Sequence, residues 1–404
     1  MGRRLGVILL VLALVAYFVM PAWASSNSTY ESLRLYTEAM AEISQKYVWP
    51  KKEKSLIYGS LRGMMNSLDP ESSFLTPQEY QKYLHPSKQV LAEAGLVLIV
   101  KKNLLTVASV IDGSPAFQAG LKPGDHIIKI DGKPVHNLTT QEAIWRFRGA
   151  PNTAIKLQVL RTGAVKPLNP TVTLEPLGMR TVTAQYLDNA FVYIRIRYFN
   201  SDTPAELASA LRKIKQHRPA VQGIILDLRN NARGTMEDAV RSASLFVGGH
   251  KILLAKGRLP KTEETFQGKA RDLIFKTLPP MVVLVDHGTG RAAEIVAGAL
   301  RDEADATLLG AKTLGLCGLT KTFPLEDGAA LVMTVADCYT PNGDKIQGKG
   351  LEPQVLGKKL KAAKTQEKGP ALRILPAQDP WVQQAVELLT SGKSKQVAQT
   401  GRAS

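Results

Sequence analysis

Two short runs in this chain carry almost no polar side chain: GIILDL at 223–228 and MVVLV at 281–285. A strand with one wet face alternates apolar and polar residues. Continuous apolar runs of this length therefore belong to strands covered on both faces, as at the centre of a parallel sheet flanked by helices. The neighbouring patterns agree. FVYIRI at 191–196 is a third strand with Val192, Ile194 and Ile196 on one face. TPAELASALRKIKQ at 203–216 sets Leu207, Leu211 and Ile214 along one helical stripe, with Thr203 as cap, Pro204 in the first turn and Glu206 completing a capping box. TMEDAVRSASLFV at 235–247 reads as a second helix, 329–353 as later strands and turns, and DPWVQQAVELL at 379–389 as a closing helix. Strands alternating with helices predict an α/β core over 177–390, followed by a flexible tail at 391–404.

The residues ahead of this core have a different character. Leu33, Tyr36, Met40, Ile43 and Tyr47 recur at helical spacing up to Pro50, and a second helical pattern covers 55–66. SLDPESSFLTPQEY at 67–80 then supplies turn residues and a new helix start at Thr76 and Pro77, so 25–89 is an N-terminal helical region. Over 90–176 the runs LLTVASV, DHIIKI and IKLQVL are short and β-rich, and TTQEAIWRF is a short helix with Thr139 or Thr140 as cap. The stretch GSPAFQAGLKPGDHIIKIDGKPV at 113–135 resembles a PDZ domain throughout. That resemblance implies capture of a peptide or protein chain end as an added strand, with its carboxylate on backbone N–H groups. The binding loop it implies is EAGLVLIV, with Gly95, Leu96, Val97 and Leu98 as the peptide-binding residues. Gly95 matches the family, whereas Val97 stands where a second glycine is common. A β-branched residue resists φ > 0, which alters the carboxylate nest.

The first 24 residues read as an export signal. Arg3 and Arg4 precede an uncharged apolar run at 5–20, then Pro21 and the small-residue site Ala22-Trp23-Ala24, cut before Ser25. An uncleaved inner-membrane anchor is the alternative. Either way the expected location is the periplasm. The apolar fraction of 44% suffices for packed cores. The formal net charge of +17 would suit nucleic acid or an acidic polymer. The basic residues, though, are spread out, with a modest group at Lys358, Lys359, Lys361, Lys364 and Lys368, and are not interleaved with aromatics; together with export, this argues against nucleic acid. A cell-wall role for the basic surface stays open, as do an envelope partner protein and a homo-oligomer. Neither cysteine nor histidine has metal-site spacing, so no metal and no cofactor are expected. An exported Cys317 and Cys338 are free to form a disulfide. Trp49 and Trp381 are expected to be packing residues.

Helical unit, PDZ domain and α/β core in this order, with the motifs LDPESSFL, GIILDLRNN, EIVAGAL and TPNGDKIQGKGLEP, resemble the carboxyl-terminal processing (tail-specific) protease family over nearly the whole mature chain. The resemblance implies a mixed α+β and α/β multidomain fold and serine-type endopeptidase chemistry run by a Ser-Lys dyad, in which a desolvated neutral lysine takes the serine proton. In the family the serine lies three residues before the glutamate of the EIVAGAL-like helix, the lysine 25 residues after the serine, and a glutamine four beyond it. Counting from Glu294 puts these positions at Arg291, Leu316 and Thr320. Arginine has no nucleophilic oxygen and keeps its charge; leucine accepts no proton. No serine occurs anywhere in 286–323. The family's oxyanion turn, proline-glycine-glycine, is here Ala232, Arg233 and Gly234. Two readings follow. One is a catalytically degenerate member, a pseudoprotease that keeps peptide binding and acts as scaffold or regulator. The other is a peptidase with relocated chemistry, using Thr289 or Cys317 as nucleophile with His287 as base. Asp227 and Arg229 are expected to pair structurally.

Overall fold

The computed structural model describes residues 30–85, 92–101, 104–135, 138–188, 190–216, 221–258, 263–358 and 375–392. The segment 1–24 read as an export signal, the basic residues from Lys359 to Lys368 and the tail beyond Gly392 lie outside the described residues.

Every residue of the strands Gly223–Asp227 and Met281–Val285 is buried. They lie in the middle of a six-stranded sheet that runs Val182–Leu187, Phe191–Ile196, Gly223–Asp227, Met281–Val285, Thr307–Gly310, Val355–Leu356, antiparallel only at its first pair. Alternate residues face opposite layers. Ile224, Leu226, Val283 and Val285 join one core with Leu207 and Leu211 of the helix Thr203–Gln216, Ala243 of Met236–Val247, and Val296 of Ala292–Glu303. Ile225, Val282 and Leu284 meet Val382, Ala385 and Leu389 of the closing helix Pro380–Thr390 on the other face. Each Val, Leu or Ile among them contributes about 1.5–3 kcal/mol by leaving water. The capping box expected at Thr203 does not form. Glu206 instead accepts from the Thr181 and Val182 amides and the Thr181 hydroxyl, and Asn200 receives the Asp202 and Thr203 amides at the helix start.

A second sheet carries the strands Ser73–Leu75, Ala330–Tyr339, Lys251–Gly257 and Glu264–Gln267, with Gly318–Pro324 also paired to Ala330–Tyr339. Ser73–Leu75 corrects the reading of 67–80 as turn and helix start alone: all three residues are buried. The turn before it is held by Asp69, whose carboxylate accepts the Glu71 and Ser72 amides at 2.8 and 2.9 Å. Thr76 caps the next helix, Pro77–Leu84, in a capping box with Glu79.

The PDZ segment forms an antiparallel sheet in the order Leu96–Lys101, Leu104–Val110, His126–Ile130, Ala154–Leu160, Thr171–Thr173. Leu96–Lys101 is therefore an edge strand. The helix Thr140–Arg146, capped by Thr139, runs beside it, and the Thr140 hydroxyl accepts the Val100 amide at 3.1 Å. Gly95 takes φ 75° at the strand entrance, whereas Val97 is buried and paired with Ser109.

The chain divides into two compact units, Met1–Gly63 and Met64–Ser404. The PDZ sheet and the α/β core thus belong to one unit. In the first unit a helix over 30–46 precedes the start of Glu53–Leu68. Trp49 is not the packing residue expected: it is 66% exposed on the connection before Pro50, its ring edge-on to Tyr47. Among the described residues no helix is long and apolar enough to cross a membrane.

Candidate functional site

The strand Met281–Val285 ends in a tight turn over 286–290 that feeds the helix Ala292–Glu303. The Asp286 carboxylate organises the turn, accepting the Gly288 amide at 3.0 Å, the Thr289 hydroxyl at 3.1 Å and, from the neighbouring loop, the Asn230 amide at 2.7 Å. Burial pushes the Asp286 carboxyl up. The residue that ends the turn is Arg291, with φ 51° and ψ −120°. This is a sparsely populated backbone for a non-glycine residue, and it holds only where surrounding contacts over-determine it. Here the Arg291 amide donates to the Leu316 carbonyl, Gly290 to Asn231, and Leu314 to Thr289, each at 2.9 Å.

Those bonds draw the 313–316 loop against the turn, and Glu294 fastens it. Glu294 is fully buried; its carboxylate accepts the Thr313 hydroxyl, the Gly315 amide at 2.6 Å and the Leu316 amide at 3.0 Å. Burial raises its pKa to about 7 despite these donors. Arg291 and Leu316 are thus brought together. The Leu316 side chain packs with Val97, Ile99 and Ala108 of the PDZ sheet and with Ala232 of the core. Thr320 is exposed on Gly318–Pro324 and lines a cavity with Arg291 and Glu71.

The residues weighed as substitute catalysts are placed otherwise. Thr289 is fully buried, and its hydroxyl donates to the Leu228 carbonyl at 2.9 Å and to Asp286. Cys317 is joined to Cys338, their Cα atoms 5.6 Å apart. His287 is exposed on the turn. Asp227 and Arg229 do pair, at 2.6 Å, with Arg229 also reaching Asp379 at 2.9 Å.

The turn at 232–234, matched above to the family's oxyanion turn, lies alongside. Gly234 keeps φ 133°, and a Cβ there would stand 2.3 Å from Cβ of Phe199, so only glycine fits. Arg233 is held in a bidentate pair with Glu93 at 2.9 and 3.0 Å and lies over the Tyr198 ring. Arg148 approaches the same carboxylate at 3.6 Å. Gly95, Leu96, Val97 and Leu98 line one groove together with Ile144, Phe147, Arg233 and Arg291. The groove beside the PDZ edge strand therefore opens onto Arg291.

Residues 190–356 match the peptidase family S41 and residues 93–172 match the PDZ domain. The carboxy-terminal-processing protease of Bartonella bacilliformis is 31% identical over 334 residues, covering 82% of this chain and 76% of that protein. This chain belongs to the carboxyl-terminal processing protease family. Within the family, the carboxyl-terminal-processing protease of Synechocystis is 31% identical over 93% of this chain and 86% of its own length, and CtpA of Bacillus subtilis is 30% identical over 82% and 70%. Among solved structures, the photosystem II D1 C-terminal processing protease shares the fold, with a TM-score of 0.66 over 80% of this chain and 92% of that one.

Two carboxylates of this family member's cleft escaped the reading of the sequence. Glu71 stands 3.4 Å from Arg291 and accepts the Gly318 amide at 2.9 Å; Glu93 holds Arg233. A guanidinium entering a half-dry cleft demands a counter-charge, but no local spacing says which carboxylate supplies it. Both partners come from distant segments of the chain.

Proposed function

We propose that this member of the family is an exported pseudoprotease that binds the ends of peptides or proteins in its PDZ groove and serves as a scaffold or regulator. One observation supports the reading: at the turn before the helix Ala292–Glu303, the two positions that the family resemblance gives to nucleophile and base carry Arg291 and Leu316, which lie side by side and offer neither an attacking oxygen nor a proton acceptor. Acyl transfer needs both. The surroundings of Thr289 and Cys317 support the same conclusion, since one hydroxyl is buried in turn hydrogen bonds and one thiol is bound in a disulfide. Export is supported by the signal pattern of residues 1–24 and agrees with a paired Cys317 and Cys338, which suits an oxidising compartment.

The test is a cleavage assay on an unstructured protein with an apolar tail, using wild type beside Thr289→Ala and Cys317→Ala. No cleavage is expected from any of the three. Turnover by wild type that vanishes in either variant would defeat the reading. N-terminal sequencing of the protein from a periplasmic extract should begin at Ser25; a chain that starts at Met1 and stays with the membrane would instead make 1–24 an anchor.

A further inference from the structure

The strained backbone at residue 291 aims a side chain into the cleft, and in this chain that side chain is a guanidinium. We propose that Arg291 is a carboxylate receptor, which takes the terminal carboxylate of a peptide lying along the edge strand at 95–98. The inference rests on the peptide-binding reading and names its ligand: a free C-terminal chain end.

Arg291 is under-satisfied. Its Nε is buried without a hydrogen-bond partner, a state that costs about 1–3 kcal/mol for a buried donor. Its pair with Glu71 is 3.4 Å long, well beyond the roughly 2.7–2.9 Å of a charge-assisted bond. Arg233, by contrast, is held by two short bonds to Glu93 and lies over the Tyr198 ring. The charge count points the same way. Among the described residues lining the two cavities that meet at Arg291, the charged side chains are Arg148, Arg233 and Arg291 against Glu71 and Glu93, one positive charge in excess, the complement of a single chain terminus.

The groove also lacks part of the device a PDZ domain uses for the same task. Val97 lies within the strand, buried against Leu316, so the second glycine of a backbone nest is missing. A guanidinium with five donors at the end of the groove supplies what the backbone does not. Leu96, Leu98, Ile144 and Phe147 line the groove for an apolar last side chain, and the edge strand offers main-chain pairing.

The experiment uses the full mature protein and a fluorescein-labelled octapeptide of alanine and serine ending in valine, made as free acid and as C-terminal amide, with binding read by anisotropy at low salt. Wild type should bind the acid at least about tenfold more tightly than the amide. Arg291→Gln should bring that ratio to within about twofold, and Glu71→Gln should tighten acid binding several-fold by removing the competing carboxylate. An acid preference that survives Arg291→Gln overturns the proposal, as does unchanged or weaker acid binding by Glu71→Gln, which decides the matter if the Arg291 variant does not fold. Equal binding of acid and amide by wild type overturns the receptor but leaves peptide binding standing; binding of neither overturns both.

Discussion

Glu294 shows how much of this cleft is decided by single side chains. It lies in the first turn of the helix Ala292–Glu303, where the positive end of the helix dipole favours a carboxylate, and it holds the 313–316 loop through three donors. Burial nonetheless carries its pKa up to about 7. Its folded pKa is then above the unfolded value, so the folded protein binds more protons between the two. The contribution to stability is fully present below about pH 4.5, declines as pH rises, and is lost through pH 7. The carboxyls of Glu71 and Asp286 are also raised by burial and act in the same direction. Urea unfolding should therefore show stability falling from pH 5 to pH 8, with roughly 2 kcal/mol of the fall assignable to Glu294. Glu294→Gln should flatten that part of the slope. An equal slope in the variant would place the titrating group elsewhere.

At the scale of elements, what the sequence disclosed were the features whose cause is local. The central strands were legible because both faces are covered, and the helices at Thr76 and Thr139 because their caps lie within three residues of their partners. The failures are those of distant partners. Ser73–Leu75 is a strand only because 330–332 lie beside it, and Glu206 abandons its own helix start for Thr181 and Val182. The candidate site divides in the same way: the turn before the helix and the absence of serine from 286–323 could be read from the sequence, whereas the pairing of Arg291 with Glu71, and of Arg233 with Glu93, could not. The 313–316 loop joins the two kinds of knowledge. The position that the family resemblance gives to a lysine can be counted in the sequence, but the structure makes Leu316 a packing residue between the PDZ sheet and the core. Leu316→Ala should lower unfolding stability by about 2–4 kcal/mol in urea titration. A loss under about 1 kcal/mol, the range of surface substitutions, would mean that this contact does not hold the loop.

The PDZ sheet and the α/β core are tied together at the cleft. Asn230, from the loop after the central strand, accepts the Val110 amide at 2.8 Å, donates to the Val110 carbonyl, and receives the Ser109 hydroxyl on its own carbonyl at 2.9 Å. Arg195, buried in the core sheet, reaches Asp112 of the PDZ segment at 2.7 Å and the Asp227 carbonyl at 3.1 Å. Arg233 with Glu93, and the Leu316 cluster, add two more ties. A domain linked this way differs from one that swings on a flexible linker, for which relative motion is the ordinary expectation. The ties predict that the PDZ sheet and the core open together. Hydrogen exchange followed by mass spectrometry across a urea series should show peptides from Leu104–Val110 and from Gly223–Asp227 losing protection in one step. Arg195→Met combined with Asn230→Gly removes the Arg195 tie and the side-chain bonds from residue 230 to Val110, leaving only the Ser109 bond to its backbone carbonyl, and glycine preserves the φ of 50° at residue 230. In that variant the PDZ strands should lose protection at lower urea than the core. Coincident loss in the double variant would mean that the remaining ties, the apolar cluster around Leu316 together with the Arg233–Glu93 pair and the Ser109 bond, suffice to couple the two sheets; separate loss in wild type would mean that the PDZ domain is an independent folding unit.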